Sequence, residues 1–447
     1  MTEQFPISAR QAQLEQMVND LLKEARQQGA SAAEAAVSSD SGLAINVRKG
    51  EVETIEHTRD QGLGITVYFG QCKGTASTSD FKPEAIRDTV RAACNIARFT
   101  NDDPCSGLAD ADRMATDIPD LDLYHPWDIT PEDAIELGTR CESAALKLDP
   151  RISNTEGASV NSHSGLHVYG NSHGFIGGYP SSRHSLSCSV IGQQNGSMQR
   201  DYWYTVSRDA KDLESEFDVG RKAGERTLAR LGARKLSTRQ APVIFRADIA
   251  GSLLRSLISA ISGSSLYRKA SFLLDHLGEP IFPAHIQIQE QPRIPGGLGS
   301  ASFDSEGVAT YDKSIIQDGT LQTYLLGSYS ARKLGLQSTA NAGGVHNLSI
   351  TPGEQDLDGL LREMGTGLLV TEMMGHGVNM VTGDYSRGAA GFWVEQGEIQ
   401  FPVEEITIAG NLKQMFAQLL AVGSDEERRS SIRTGSLLIE QMTIAGE

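Results

Sequence analysis

Hydrophobic residues recur at helical spacing in several separate stretches of the chain. The first, within MTEQFPISARQAQLEQMVNDLLKEARQQG, has the charged and amphipathic pattern of a surface helix. Pro83 and Pro131 open two more helices, PEAIRDTVRAACNIARF and PEDAIELGTRCESAALKL, because proline costs little in a first helical turn. Further helices are predicted in FDVGRKAGERTLARL, in SLLRSLISAI, at LDGLLREM and over NLKQMFAQLLAVG.

Strand patterns fill the intervals between the first helices. Alternating apolar positions and glycine turns predict antiparallel strands from Ala35 to Thr78 and again from Ser164 to Asp209. Both series open with Ser-Gly-Leu, at Ser41 and Ser164, and both end in a helix. A duplicated β-meander-and-helix unit is therefore expected, with sub-repeats at about 36–100 and 150–235.

A boundary between two domains is expected near residues 233–245. Residues 1–235 form a predicted N-terminal mixed α/β domain, in which the polar segment 101–131 is a linker. Residues 240–447 form a predicted β-rich C-terminal domain, with hairpins turning at Asp318-Gly319 and Gln396-Gly397. The fold class that follows is α+β.

Charge and composition narrow the functional classes. The 447 residues carry a net charge of -17, which disfavours direct binding to a nucleic-acid backbone. No apolar run approaches the ~18–20 residues that span a bilayer, and no signal-peptide core is present, so a cytoplasmic location is expected. The five cysteines include no CxxC pair, which argues against a zinc ribbon or a disulfide framework.

Several local motifs have structural explanations. Ser172 lies in a GxSxG sequence, but a returning strand follows it, so a hairpin turn is the better interpretation than a nucleophile elbow. Ser330 and Lys333 match SxxK without the companion motifs of serine hydrolases. The chain also lacks a Walker lysine and a dinucleotide fingerprint in its glycine-rich segments.

Histidines suggest metal binding only weakly. Glu372 and His376 could meet on a helical turn, but a third ligand is lacking. Four other histidines crowd one predicted strand region, where a role in hydrogen bonding is expected rather than a metal site. These four are His163, His167, His173 and His184.

Three long segments together resemble one known family. They are GEVETIEHTRDQGLGITVYFGQCKGTAST, FDSEGVATYDKSIIQDGTLQTYLLGSYSARKLGLQSTANAGGVHN and MMGHGVNMVTGDYSRGAAGFWVEQGEIQFPVEEITIAGNL. They are similar to the TldD/PmbA family of metallopeptidases, also described as modulators of DNA gyrase. NTEGASVNSHSGLHVYGNSHG and TGDYSRGAAGFWVEQGEI resemble its PmbA (TldE) branch.

The resemblance implies a complex of two kinds of subunit with different roles. It implies a cytosolic hetero-oligomer with a TldD-like paralogue, which degrades unfolded peptides, matures peptide antibiotics and removes an antitoxin. In the TldD branch a HExxxH helix and a cysteine near the C-terminus hold zinc. The matching positions here are Arg255, Ser256, Ala260 and Thr434.

None of these four residues is a usual zinc ligand, so this chain is expected to hold no cofactor, while the paralogue carries the zinc. The helix in SLLRSLISAI should bury an apolar face formed by Leu253, Leu254, Leu257, Ile258 and Ile261. Its open face should carry Arg255, Ser256, Ser259 and Ala260.

The function expected first is that of a non-catalytic subunit that helps to form the path of a peptide substrate. Candidate residues for that path are Val345, His346, Asn347, Thr382, Gly383, Asp384 and Tyr385. Two alternatives stay open: an independent hydrolase that uses Ser330 and Lys333 or an unrecognised metal site, and a gyrase-associated regulator that acts through protein contacts. A homodimer in the absence of the paralogue is also possible.

Overall fold

Helices and strands alternate along the computed structural model, which describes residues 7–446. The α-helices in this range are α1 (Ile7–Gln27), α2 (Pro83–Phe99), α3 (Pro131–Leu146), α4 (Glu216–Ala229), α5 (Ala247–Ala260), α6 (Gly263–Tyr267), α7 (Ser328–Leu334), α8 (Leu357–Met364) and α9 (Leu412–Ala417). Among residues 7–446, none of the helices combines the length and hydropathy that a membrane span requires.

The strands form three sheets. They are β1 (Ala32–Arg48), β2 (Glu51–Phe69), β3 (Cys72–Thr78), β4 (Ile152–Asn171), β5 (Ile176–Gln194), β6 (Ser197–Ser207), β7 (Arg239–Phe245), β8 (Ile288–Glu290), β9 (Lys313–Gln317), β10 (Thr320–Leu321), β11 (Leu348–Ile350), β12 (Gly367–Met374), β13 (Asp384–Glu395), β14 (Glu398–Asn411), β15 (Leu419–Val422), β16 (Ile432–Arg433) and β17 (Leu437–Ala445). This mixture of helices and sheets confirms the α+β class.

The first sheet is built from two antiparallel meanders, β1–β3 and β4–β6, which meet where β1 pairs with β4. Its strand order is β3-β2-β1-β4-β5-β6, and all its pairings are antiparallel. Ser41 pairs with Ser164 at the centre of β1 and β4. The two Ser-Gly-Leu triplets therefore lie in the middle of their strands and not at the openings that the sequence suggested. Helices α1 and α2 bury one half of the sheet, and α3 and α4 bury the other.

The two edges of this sheet differ in their exposure. Strand β3 covers only residues 63–69 of β2, and β6 covers only residues 184–194 of β5. The first half of β5 is covered in another way, because Ser182 donates its backbone N–H to Leu123 and Tyr179 packs on Phe303. The corresponding half of β2, residues 51–61, is exposed along its whole length.

The C-terminal half of the chain contains two further sheets and a large hydrophobic core. The six-stranded order is β14-β13-β12-β7-β17-β15 and the five-stranded order is β10-β9-β8-β11-β16. Helix α5 packs on one face of the six-stranded sheet, and α8 packs on the other. Both predicted hairpin turns are present, with positive φ at Asp318 and Gly319 and at Gln396 and Gly397, as a type I′ turn requires.

The late helix predicted over NLKQMFAQLLAVG is wrong in its second half. Helix α9 stops at Ala417, and Leu419–Val422 form strand β15. Strand β15 pairs with β17, so its backbone hydrogen bonds come from a segment that local periodicity does not include.

The predicted linker is fixed to the C-terminal half rather than free. Arg332 of α7 donates hydrogen bonds to the carbonyl groups of Cys105, Gly107 and Leu108. The N–H of Ala115 donates to Gly307, 2.9 Å away. Segment 101–131 therefore joins the first sheet to the C-terminal sheets as a packed layer. The domain boundaries given above stay a prediction.

We expect Gly74→Ala to destabilise the fold. A methyl group at Gly74 of β3 would overlap the backbone of Ala93 and Ala97 in helix α2. Such overpacking costs about 1–3 kcal/mol in the free energy of unfolding. Gly64→Ala on the neighbouring strand is the control, because a methyl group there meets no atom within 4 Å. Equal unfolding midpoints in urea for the two variants would contradict this packing.

Candidate functional site

Helix α5 places the residues that match the zinc motif. Leu253, Leu254 and Leu257 are buried in the C-terminal core, as predicted, while Arg255 is exposed and Ser256 is half-buried. Ala260 is fully buried, so its assignment to the open face was wrong. It lies in the last turn of the helix and belongs to the C-terminal core with Leu257, whereas Ser259 in the same turn is exposed.

The segment that contains Thr434 lies alongside this helix. A methyl group on Gly251 of α5 would lie 3.8 Å from the side chain of Ile432. The N–H of Ala247 donates to Ser436 Oγ, 3.0 Å away. Thr434 is buried, and its hydroxyl donates to the carbonyl of Gly435. The C-terminal segment and α5 are thus neighbours, as the alignment with the zinc motif assumes.

The side chains at these positions do not fit a zinc ion. Zinc in proteins takes thiolate, imidazole or carboxylate ligands, whereas Arg255, Ser256, Ala260 and Thr434 offer a guanidinium, two hydroxyls and a methyl group. A guanidinium also repels a dication. Within residues 7–446, no group of three or more His, Cys, Asp or Glu side chains is arranged to hold a metal.

A cavity of about 410 Å³ opens beside Arg255, and we call it the arginine cavity. Helices α4 and α5, strands β6, β12 and β13, and the segment before β16 form its walls. Its lining residues are Arg200, Asp201, Tyr202, Trp203, Tyr204, Arg226, Arg230, Asp248, Ile249, Ser252, Arg255, Thr371, Glu372, Met373, Arg387 and Arg429.

His346 belongs to a buried polar cluster. Its Nδ1 lies 3.1 Å from Glu290 Oε1, and the ammonium of Lys313 lies 2.9 Å from Glu290 Oε2. Asn341 donates to both carboxylate oxygens of Glu290. Burial opposes ionisation of Glu290, but His346 and Lys313 outweigh it and hold the pKa of this carboxyl below its usual range. The cluster fixes the loop before β11.

The neighbours of His346 are anchored as well. Asn347 is buried, accepts a hydrogen bond from the N–H of Gly299, and donates to Gln291 and Ser300. Val345 is partly buried against the C-terminal core. The contribution of residues 345–347 to a substrate path stays a prediction.

Residues 382–385 form a turn that leads into β13. Asp384 is exposed and accepts hydrogen bonds from Thr382 and Asn411, which lower the pKa of its carboxyl. Tyr385 is buried, and burial raises its pKa. Within residues 7–446, the hydrogen bonds of this turn share no partner with those of residues 345–347. A role of residues 382–385 in the substrate path also stays a prediction.

The serine motifs have the geometry of structural elements. Ser172 lies in the turn between β4 and β5, where its Oγ accepts from the N–H of Ala33, which confirms the hairpin interpretation. Ser330 donates to the carbonyl of Gly327. Lys333 donates to Asp103, and this carboxylate raises the pKa of the lysine. A lysine held in its charged form is a poor general base.

Among the four histidines of the first sheet, His184 has the predicted hydrogen-bonding role. His184 is buried between Ser162 Oγ and the carbonyl of His125, and burial lowers its pKa. His163 lies 3.4 Å from Asp40. The helical turn suggested for Glu372 and His376 was wrong, because Glu372 lies in strand β12 and pairs with Arg230 of the arginine cavity.

Known proteins are similar to this chain in both sequence and fold. Family models described as PmbA/TldA metallopeptidase domain 1, central domain and C-terminal domain match residues 33–97, 124–231 and 238–446. The chain belongs to this metallopeptidase family, which is the TldD/PmbA family of the sequence resemblance, and to its PmbA branch.

Two curated relatives match nearly the whole chain. Metalloprotease PmbA of Escherichia coli O157:H7 is 55% identical over 93% of this chain and 92% of that protein. The Metalloprotease PmbA homolog of Haemophilus influenzae is 53% identical over 98% of each chain.

Solved structures give the same result. A Bacteroides thetaiotaomicron protein described as a modulator of DNA gyrase superimposes with a TM-score of 0.92 at 30% identity, over 97% of this chain and 99% of that one. TldE from Thermococcus kodakarensis superimposes with a TM-score of 0.84 at 20% identity, over 96% and 100% of the two chains, and shows the same fold.

The arginine cavity was not predicted from the sequence. Arg230, Glu372 and Arg387 lie far apart along the chain, and no local spacing links them. Two of its residues were considered for other reasons, Arg255 at a position that matches a zinc ligand and Glu372 beside His376.

We expect Glu290→Gln to lower the free energy of unfolding by about 3–5 kcal/mol at pH 7, because it leaves the buried ammonium of Lys313 without its partner. The folded-state pKa of Glu290 is lowered, so its stabilisation is present above the ordinary value of 4.5 and is lost as the pH falls through the folded value. Between pH 7 and pH 4, the free energy of unfolding measured in urea should fall more for the wild type than for the variant.

The double variant Glu290→Gln/Lys313→Met is the control, because it removes both charges. It should recover part of the lost stability. A Glu290→Gln protein as stable as wild type at pH 7 would contradict the proposed role of the pair.

Proposed function

We propose that this chain is the non-catalytic subunit of a cytosolic metallopeptidase complex whose zinc-bearing subunit is a TldD-like paralogue. The observation that carries the proposal is the set of residues at the metal positions, where Arg255, Ser256, Ala260 and Thr434 supply no zinc ligand and no general base. The complex would degrade unfolded peptides, mature peptide antibiotics and remove an antitoxin.

The packing around helix α5 supports a non-catalytic role for this chain. The C-terminal core around α5 is fully packed, and the segment of Thr434 lies beside the helix, so the site has the shape of the family without its chemistry. The family includes a Metalloprotease TldD homolog of Buchnera aphidicola, 21% identical over 82% of this chain. A paralogue of this kind would supply the zinc.

The exposed half of β2 is the surface we propose for the paralogue. The first half of β5, on the other side of the sheet, is covered by segment 101–131 and by Phe303. Residues 51–61 of β2 are instead exposed and include the apolar side chains of Val52 and Ile55. An uncovered strand edge with exposed apolar side chains favours pairing with another chain. In the absence of the paralogue, the same edge could pair with a second copy.

The two alternative functions have less support. The hydrolase based on Ser330 and Lys333 requires a neutral lysine, but Asp103 holds Lys333 charged. The gyrase-associated regulator is suggested by the description of the Bacteroides relative. With a net charge of -17, it would act through protein contacts and not by binding DNA.

Peptide cleavage is expected only when both subunits are present. The test compares hydrolysis of an unfolded peptide by this chain alone, by the paralogue alone and by the mixture. The mixture is also tested with a paralogue variant that lacks the glutamate of its HExxxH motif. Loss of cleavage in that mixture would place the reaction in the paralogue. Cleavage by this chain alone that is lost with Ser330→Ala or with a chelator would favour the independent hydrolase.

Ile55→Lys should weaken the complex, because a charge on an edge strand opposes strand pairing. The dissociation constant should rise at least about tenfold, as for the loss of a strong apolar contact. Ile399→Lys is the matched control, since Ile399 is similarly exposed on β14. Sedimentation velocity with the paralogue measures both variants. An unchanged constant for Ile55→Lys would exclude this edge as the interface.

A further inference from the structure

The arginine cavity is strongly cationic in an otherwise acidic protein. Six arginines line it against three carboxylates, Asp201, Asp248 and Glu372, while the chain as a whole has a net charge of -17. Two of the six, Arg200 and Arg429, pair with carboxylates outside the lining, Glu156 and Glu427. A concentration of arginine inside a concave site favours carboxylate or phosphate groups, because the guanidinium group can donate two parallel hydrogen bonds to them.

Arg226 and Arg230 form ion pairs with the carboxylates of the cavity. Arg226 lies 3.2 Å from Asp201 and 2.9 Å from Asp248. Arg230 lies 3.6 Å from Asp201 and also pairs with Glu372. Burial opposes ionisation of Asp248, but the guanidinium groups of Arg246 and Arg226 outweigh it and keep its pKa below the usual range. All three carboxylates therefore already have guanidinium partners within the cavity.

Arg255 and Arg387 are left without an anionic partner. Across residues 7–446, no carboxylate oxygen lies within 4.0 Å of the guanidinium group of either residue. The Nε of Arg387 is buried and has no hydrogen-bond acceptor. A buried guanidinium N–H without an acceptor is costly, and a bound anion would remove that cost.

Apolar groups complete the lining. Trp203 and Tyr204 stack with Arg429, whose guanidinium carbon lies 3.7 Å from the centroid of the Trp203 ring and 4.5 Å from that of Tyr204. Ile249 and Met373 add aliphatic surface. The cavity thus combines cationic donors that have no anionic partner with surface for neighbouring apolar atoms, whereas an inorganic anion needs only the donors.

We propose that the arginine cavity binds the carboxylate of a peptide between Arg255 and Arg387. Both arginines line the cavity without a carboxylate partner, so an anionic group of the substrate would complete their charge pairing. The inference deepens the proposed function, because it names a substrate feature that the non-catalytic subunit holds. Its test measures binding to the isolated chain and uses neither the paralogue nor catalysis.

The experiment measures fluorescence anisotropy of labelled random-sequence octapeptides mixed with the full chain at 150 mM salt. One pool has a free C-terminal carboxylate, the second pool is amidated, and the third is amidated with a central glutamate. We expect the free-carboxylate pool to bind at least about tenfold more tightly than the amidated pool, since a charge-assisted hydrogen bond is lost. Tight binding of the third pool would assign the site to acidic side chains as well.

Variants connect this binding to the cavity. Arg255→Gln should abolish the preference for the carboxylate without changing the fold, because Arg255 is exposed. Arg387→Lys keeps the charge but cannot donate two parallel hydrogen bonds, so it should also weaken the preference. Arg87→Gln, on the exposed face of α2, is the matched control and should bind like wild type.

Three results would overturn the proposal. The first is equal binding of the free-carboxylate and amidated pools, including no binding of either. The second is a preference that survives both Arg255→Gln and Arg387→Lys. The third is complete competition by inorganic phosphate at equal concentration, which would indicate an anion site that does not recognise peptide. None of these results would decide whether the paralogue is needed for cleavage, so the proposed function would be tested separately.

Discussion

Two arginines at the C-terminal end of α4 determine how the halves of the chain meet. Arg226 and Arg230 lie between Asp201 of the first sheet and two carboxylates of the C-terminal half, Asp248 and Glu372. These side chains are largely buried, so the loss of one partner would leave a charge without compensation at the junction. This network fixes α4 against α5 and β12, and it forms two walls of the arginine cavity. The position of α5 relative to the first sheet depends on it.

Helix α5 has a structural role in this chain. Its leucines fill the C-terminal core, and Ala260 is buried at the position that we align with the second histidine of the zinc motif. An alanine methyl group at this place closes the core, whereas an imidazole would need a metal or a hydrogen-bond partner there. The exposed side of the helix then carries Arg255, which faces a cavity lined by cations. Under the two proposals, this region would bind an anion and not a dication.

Features set by neighbouring residues were predictable from the sequence. Pro83 and Pro131 mark helix starts, and Asp318-Gly319 and Gln396-Gly397 mark hairpin turns, because each depends on local backbone preferences. Strand β15 was missed, because its hydrogen bonds come from β17. The arginine cavity was missed for a similar reason, since its side chains come from segments that meet only in the folded chain. The substitutions at the metal positions were visible because the family motif is itself local.

The central claim is that the metal of the family is absent from this chain and present in its paralogue. The most direct test is a crystal structure of the complex with anomalous scattering data collected at the zinc absorption edge. We expect an anomalous peak in the paralogue and no peak near Arg255, Ser256 or Thr434. A zinc peak within coordination distance of side chains of this chain would contradict it.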